Sequence, residues 1–294
     1  MKREEINIRD PFLLNDGDML YMYGSTDKNI WGGGECFTFS AYKTTDLENF
    51  EGPFVVFDRP DDFWADRQFW APEVHAYKGK YYMFASFYKN GIGRRSQILE
   101  SDSPLGPFVP KSSPFTPLGW DCLDATFFIE DGAPFSIFSH EWAQIKDGTI
   151  ELVRLKEDLS GPIGSSVTLF KASDAPWVRP ISYRGKFDGY VTDGPYLRKL
   201  NGGKLLMIWS SYTVGSAYAV GMAVSDSGKL RGPWRHLDEP LFAEDGGHAC
   251  LFEYGGKLLM SIHRPNVASE ERPNFFELEE VGDRLKIKGL LKSR

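Results

Sequence analysis

Carboxylates recur in this chain just ahead of strand-like runs. They stand in Arg9-Asp10-Pro11, in Phe69-Trp70-Ala71-Pro72-Glu73, in Leu123-Asp124-Ala125-Thr126 and in Thr192-Asp193-Gly194-Pro195. A fifth segment, Gly246-Gly247-His248-Ala249, puts a histidine in the corresponding place. Taken singly, an Asp before Pro or Gly is a turn or capping residue. Taken together they mean more. Acids brought to one place by different segments repel one another, and such sets are kept for proton transfer or for metal binding. Another acid, Glu141 in Ser139-His140-Glu141-Trp142, lies between a histidine and an aromatic. Desolvation there would raise its pKa, as a proton donor requires.

These residues converge only if the chain repeats. Segments 15–25, 78–86, 130–139, 202–210 and 255–261 each contain a Gly turn followed by an apolar or aromatic run, often ending in Ser. Each is a hairpin signal. Their first glycines, Gly17, Gly79, Gly132, Gly202 and Gly255, are 62, 53, 70 and 53 residues apart. A second repeat runs out of phase with the first. Asp46 with Gly52-Pro53, Asp102 with Gly106-Pro107, Asp226 with Gly232-Pro233 and, more loosely, Asp158 with Gly161-Pro162 mark turns into edge strands, where Pro is tolerated. Long helical periodicity is absent. Five units of several short strands predict an all-β, five-bladed β-propeller. An irregular β-sandwich would have no reason to repeat a sub-motif five times. No linker interrupts the chain, so residues 1–294 read as a single domain. The carboxylate segments then fall on the innermost strands, around one end of a central channel.

Composition narrows the function. The net charge is −7, hydrophobic content is 41% and aromatic content 15%. An acidic chain without a basic stripe argues against nucleic acid and anionic membranes as partners. No apolar run approaches the ~20 residues of a membrane helix. Cys36, Cys122 and Cys250 are widely spaced and lack a CxxC pattern, so they are read as buried free thiols in a reducing compartment. The first residues carry no apolar signal region. The expected location is the cytoplasm, and nothing in the sequence fixes the oligomeric state.

The order Arg-Asp-Pro, Trp-Ala-Pro-Glu, Leu-Asp-Ala, Asp-Gly-Pro-Tyr-Leu, Gly-Gly-His resembles glycoside hydrolase family 43, over about residues 6 to 280. The family consists of five-bladed propeller enzymes that cleave arabinofuranosides and xylosides. The resemblance implies inverting hydrolysis of an oligosaccharide. Asp10 matches the general base and Asp124 the acid that tunes and orients the proton donor. The family's donor, usually a Glu before Gly-Pro, is replaced here by Asp193, which reaches about one methylene less far. The donor is therefore either Asp193 or Glu141. Inversion needs the two reacting carboxyls ~6.5–9.5 Å apart, to leave room for water.

Arg9, Trp31, Trp70, Glu73 and Arg264 complete the expected substrate-binding set. Trp70 would wall the sugar site, and Trp31, before Gly32-Gly33-Gly34, would be a platform; core packing is the plain alternative for both. An ion pair on the surface is the alternative for Arg264. His248 matches a family histidine that helps to hold a structural Ca2+ in the channel through waters, although a lone His is more often a satisfied core residue. No cofactor is otherwise required. The expected activity is exo-acting α-L-arabinofuranosidase on short oligosaccharides. The alternatives are β-xylosidase, another furanosidase of this fold, or a non-catalytic carbohydrate-binding propeller.

Overall fold

The computed structural model describes residues 1–31 and 36–291. It contains five four-stranded antiparallel sheets in which sequence neighbours pair in order. The first sheet runs from Arg9–Asp16 through Met19–Ser25 and Thr38–Thr44 to Glu51–Asp58. The second is Arg67–Tyr77, Lys80–Lys89, Gly93–Ser101 and Val109–Pro110, and the third Cys122–Glu130, Ala133–His140, Thr149–Leu155 and Pro162–Lys171. Asp193–Lys199, Leu205–Tyr212, Tyr218–Ser225 and Trp234–His236 form the fourth; Gly247–Tyr254, Lys257–Arg264, Arg272–Val281 and Arg284–Leu290 form the fifth. This is the five-bladed propeller arrangement. The Gly turns join each inner strand to the second strand, and the Gly-Pro turns stand at the outermost strands. Gly32-Gly33-Gly34 lie outside the described residues.

The apolar runs are continuous because a blade is covered on both faces; Tyr218–Ser225 is buried at every position. Five apolar clusters fill the five gaps between neighbouring blades. Phe39 and Phe57 of blade one meet Phe69 and Phe87 of blade two. Blades two and three share Phe84, Phe115 and Phe138. Trp209 of blade four packs on Phe170 of blade three. Leu206 and Ile262 lie between blades four and five, and Met22 and Phe275 between five and one.

The ring closes without a shared strand. Blade one is wholly N-terminal and blade five wholly C-terminal, so the seam is made by side chains and by a backbone hydrogen bond from the Ile8 amide to the Glu271 carbonyl at 3.4 Å. Glu271 Oε1 accepts from Arg9 Nη1 at 2.9 Å, and its carbonyl accepts from Asn7 Nδ2 at 2.9 Å. Ser261 Oγ donates to the Pro11 carbonyl at 2.5 Å. Cys122 and Cys250 are free and buried, whereas Cys36, expected to be buried, is only half-buried.

Candidate active site

Each inner strand carries a residue with a left-handed backbone where its pairing with the second strand slips. In blade order these are Asp10 (φ 54°), Ala71 (φ 46°), Asp124 (φ 55°), Gly194 (φ 50°) and His248 (φ 52°). The slips fall at Arg9/Phe12, Trp70/Glu73, Asp193/Tyr196 and Gly247/Cys250, with the equivalent break opposite Ile137/Ser139 in blade three. Blade two has a further left-handed residue, Gln68 (φ 52°), at a second slip. A bulge of this kind re-aims a side chain out of the pleat. Serines of the second strands brace these residues from the preceding blade. Ser25 Oγ accepts the Ala71 amide at 2.8 Å, Ser86 Oγ the Asp124 amide at 2.9 Å and Ser210 Oγ the His248 amide at 2.8 Å. At the fourth blade Asp124 Oδ2 takes the Gly194 amide instead, at 3.0 Å. Ser139 Oγ is then left buried without a hydrogen-bond partner.

Asp10, Asp124 and His248 thus occupy one repeat position and meet. His248 Nδ1 is 3.2 Å from Asp10 Oδ1 and 3.7 Å from Asp124 Oδ2. Gly194 permits this, because a Cβ there would lie 2.8 Å from His248 Cδ2. Asp193 stands one residue earlier in the repeat, in the place of Arg9 and Trp70. Its Oδ2 accepts a hydrogen bond from Tyr218 Oη at 3.0 Å.

The four acids sit in different electrostatic settings. Burial would raise the Asp10 pKa. His248, Arg9, His263 and the Ser25 hydroxyl, which donates to Oδ2 at 2.8 Å, outweigh it and hold the group below its ordinary value. Asp124 is pushed well above the usual carboxylate range by burial and then by the charge of Asp10. Asp193 is raised to about 8, by burial first and then by Asp124. Burial and Arg9 keep the His263 ring neutral, so its Nδ1 accepts the Asp10 amide at 3.2 Å. Glu141 faces a cation: Arg94 Nε donates to its Oε2 at 3.1 Å while the Arg94 guanidinium lies 3.7 Å over the Trp70 ring.

The four acids line one cavity of about 590 Å3 with Arg9, Trp31, Trp70 and His248. Trp31 is half exposed and meets Trp70 edge-on at 5.7 Å. Arg9 lies 4.9 Å from the Trp31 ring, and its second amino group donates to Asn266 Oδ1 at 2.7 Å.

Two expected binding residues are elsewhere. Glu73 follows the left-handed Ala71 by two residues, where other blades place Phe12, Tyr196 and Cys250; it is buried off the cavity, 3.0 Å from His75 Nε2. Arg264 turns outward to Glu244 Oε2 at 3.1 Å, because that acid lies on the link between blades four and five. The expected Ca2+ is one that His248 would help to hold through waters, which calls for few ligands from side chains. Ca2+ takes about six to eight oxygen ligands. Among the described residues no three His, Cys, Asp or Glu side chains are disposed to hold a metal, and His248 turns its nitrogen to Asp10. Sequence reasoning missed Arg94, Tyr218 and His263, which carry no local motif, and the segment 181–184 of the cavity wall. Ser25 was visible only as the end of a repeated strand.

A sequence profile described as "Glycosyl hydrolases family 43" matches residues 5–274. The chain belongs to this family. Among solved family structures, an endo-arabinase from Bacteroides thetaiotaomicron VPI-5482 superposes with a TM-score of 0.89 at 38% identity, covering 97% of this chain and 98% of that one. A xylosidase/arabinosidase 43A of Humicola insolens is 31% identical over 42% of this chain and 40% of its own length. An extracellular exo-alpha-(1->5)-L-arabinofuranosidase of Streptomyces chartreusis is 29% identical over 63% of this chain and 56% of its own. The matched region thus spans about two fifths to just over half of these curated family relatives.

Proposed function

We propose that this protein is an inverting glycosidase that removes terminal α-L-arabinofuranosyl residues from oligosaccharides. The observation that carries the reading is the opposite tuning of two acids in one cavity: Asp10 is held below its ordinary pKa while Asp193 is raised to about 8. Acid–base pairs are built in this way.

Asp10 takes a proton from water as the water oxygen bonds to the anomeric carbon. The glycosidic C–O bond breaks on the opposite side, and Asp193 gives its proton to the leaving oxygen. Tyr218 orients Asp193, and Asp124 raises its pKa. Glu141 is assigned to the salt bridge with Arg94, whose Nε it engages at 3.1 Å, and not to proton donation. Arabinofuranosyl specificity is supported by the activities named for the relatives, with β-xylosyl as the alternative sugar. Exo action is supported by the packing of Arg9, Trp31 and Trp70 on the base's side of the cavity.

Activity on aryl arabinofuranosides and xylosides tests the chemistry. Asp10→Ala should lower kcat by at least about 10²–10⁴-fold, the range of a lost general base. Full activity in that variant would defeat the mechanism. No turnover by the parent on any glycoside, together with sugar binding, would favour a non-catalytic carbohydrate-binding propeller. Endo action is a second reading, favoured by the likeness to the endo-arabinase structure. The products from linear arabinan decide between them: monosaccharide alone for exo action, mixed oligomers for endo.

A further inference from the structure

The links between consecutive blades are uneven. Residues 59–66, 111–121 and 237–246 join the other neighbours, whereas 172–192 joins blades three and four and is nearly twice as long as the longest of those. Within it, Ile181–Tyr183 pairs with Phe187–Gly189 as a small antiparallel hairpin outside any blade. The hairpin is clamped down. Trp142 packs edge-on against Tyr183 at 5.4 Å and Phe187 at 6.1 Å. The Tyr190 amide donates to the Lys146 carbonyl, and the Gly148 amide to the Tyr190 carbonyl, both at 2.8 Å. Gly189 makes the approach possible, since a Cβ there would lie 2.7 Å from Trp142 Cε3.

Trp142, Tyr183 and Arg184 line the same cavity as the acids. Asp193 follows the hairpin after three residues, so this wall rises beside the proposed proton donor. Next to Asp10 the cavity is lined by Arg9 and Trp31. At about 590 Å3 the cavity has room for more than one pentose ring.

We infer that the hairpin and Trp142 form the leaving-group subsite, a rigid aromatic wall that takes the next sugar of an uncharged pentose oligosaccharide, with Arg184 donating to its hydroxyls. This rests on the glycosidase reading above. A proton donor faces the leaving oxygen, so the sugar beyond that oxygen lies on the donor's side. Aromatic faces suit the apolar C–H face of a sugar ring, and Trp142 and Tyr183, packed against Phe187 behind them, present one without ordering cost on binding.

The test uses two substrates of whichever pentose the parent enzyme cleaves. The glycosyl fluoride has a one-atom leaving group and leaves the subsite empty; the tetrasaccharide fills it. In Tyr183→Ala and Trp142→Ala the ratio of kcat/KM for tetrasaccharide over fluoride should fall about tenfold, and Tyr183→Phe should restore it. The assignment is overturned if the ratio stays within twofold of the parent, or if both substrates lose rate equally. A parent that hydrolyses neither substrate defeats the glycosidase reading first, and the subsite with it.

Discussion

Two carboxyls with opposite tasks need opposite surroundings, and the residues that supply them come from every side. Asp10 is faced by His248 and His263 of blade five and by Ser25 of its own blade; Asp193 is faced by Tyr218 and by Asp124 of blade three. The sign of the pH dependence follows from the roles proposed for them. Asp193 must be protonated to act, so kcat/KM should fall as pH rises through about 8. Asp10 must be ionised, and its lowered pKa puts the acid limb below the ordinary aspartate range. Asp193→Asn should abolish the alkaline limb and lower kcat by about 10²–10⁴-fold on a substrate with a poor leaving group. With a dinitrophenyl leaving group, which departs without a proton, the loss should be much smaller. Glu141→Gln should retain the alkaline limb. A reversal between these two variants would move the donor to Glu141. Asp10 and Asp124 were legible in the sequence because each sits in a repeated segment. Tyr218 and His263 were not: Tyr218 reaches Asp193 across its own blade and His263 reaches Asp10 from blade five, contacts that leave no spacing to read.

At the level of the strand, the catalytic geometry is a property of the bulge. A regular inner strand would point alternate side chains into the two neighbouring interfaces; the left-handed residue breaks that alternation and points one into the cavity. This sharpens what the motifs meant. Four acids at the tops of four inner strands looked equivalent, but only Asp10 and Asp124 share the left-handed position, Asp193 precedes it and Glu73 lies beyond it. A shift of one or two residues is invisible until pairing is known, because strand side chains change face at each step. Gly194 carries both the left-handed turn and the approach of His248. Gly194→Ala should therefore cost about 1–2 kcal/mol from the backbone alone. It should also displace His248 and lower kcat at least tenfold; unfolding midpoints and initial rates measure the two effects separately. The inserted hairpin left one trace in the sequence, the 70-residue interval between Gly132 and Gly202 against 53 on either side.

For the molecule as a whole, the repeat was enough to read a ring of five, because only radial packing gives every unit two neighbours. The closure was not readable, since it rests on contacts between opposite ends of the chain. Arg9 and Glu271 form a buried pair across the seam at 2.9 Å, with side chains 9% and 3% exposed. Glu271→Ala would leave the Arg9 charge without that partner, and losing one member of a buried pair costs about 3–5 kcal/mol. Urea unfolding should show this as a lower midpoint, and Glu271→Gln should lose less. A midpoint unchanged in Glu271→Ala would mean that the apolar packing of Met22 against Phe275 closes the ring by itself.

Because no strand crosses that seam, the order in which the blades are synthesised is not part of the architecture. Arg3 Nη2 donates to the Leu291 carbonyl at 2.9 Å, so the two ends of the described chain already touch. Joining them through a short linker and reopening the chain at the exposed Gly202-Gly203 turn would give a circular permutant in which every inner strand keeps both neighbours. Such a permutant should fold and keep its acids together, although Asp193 would then lie near the last residues of the polypeptide and Asp10 in its interior.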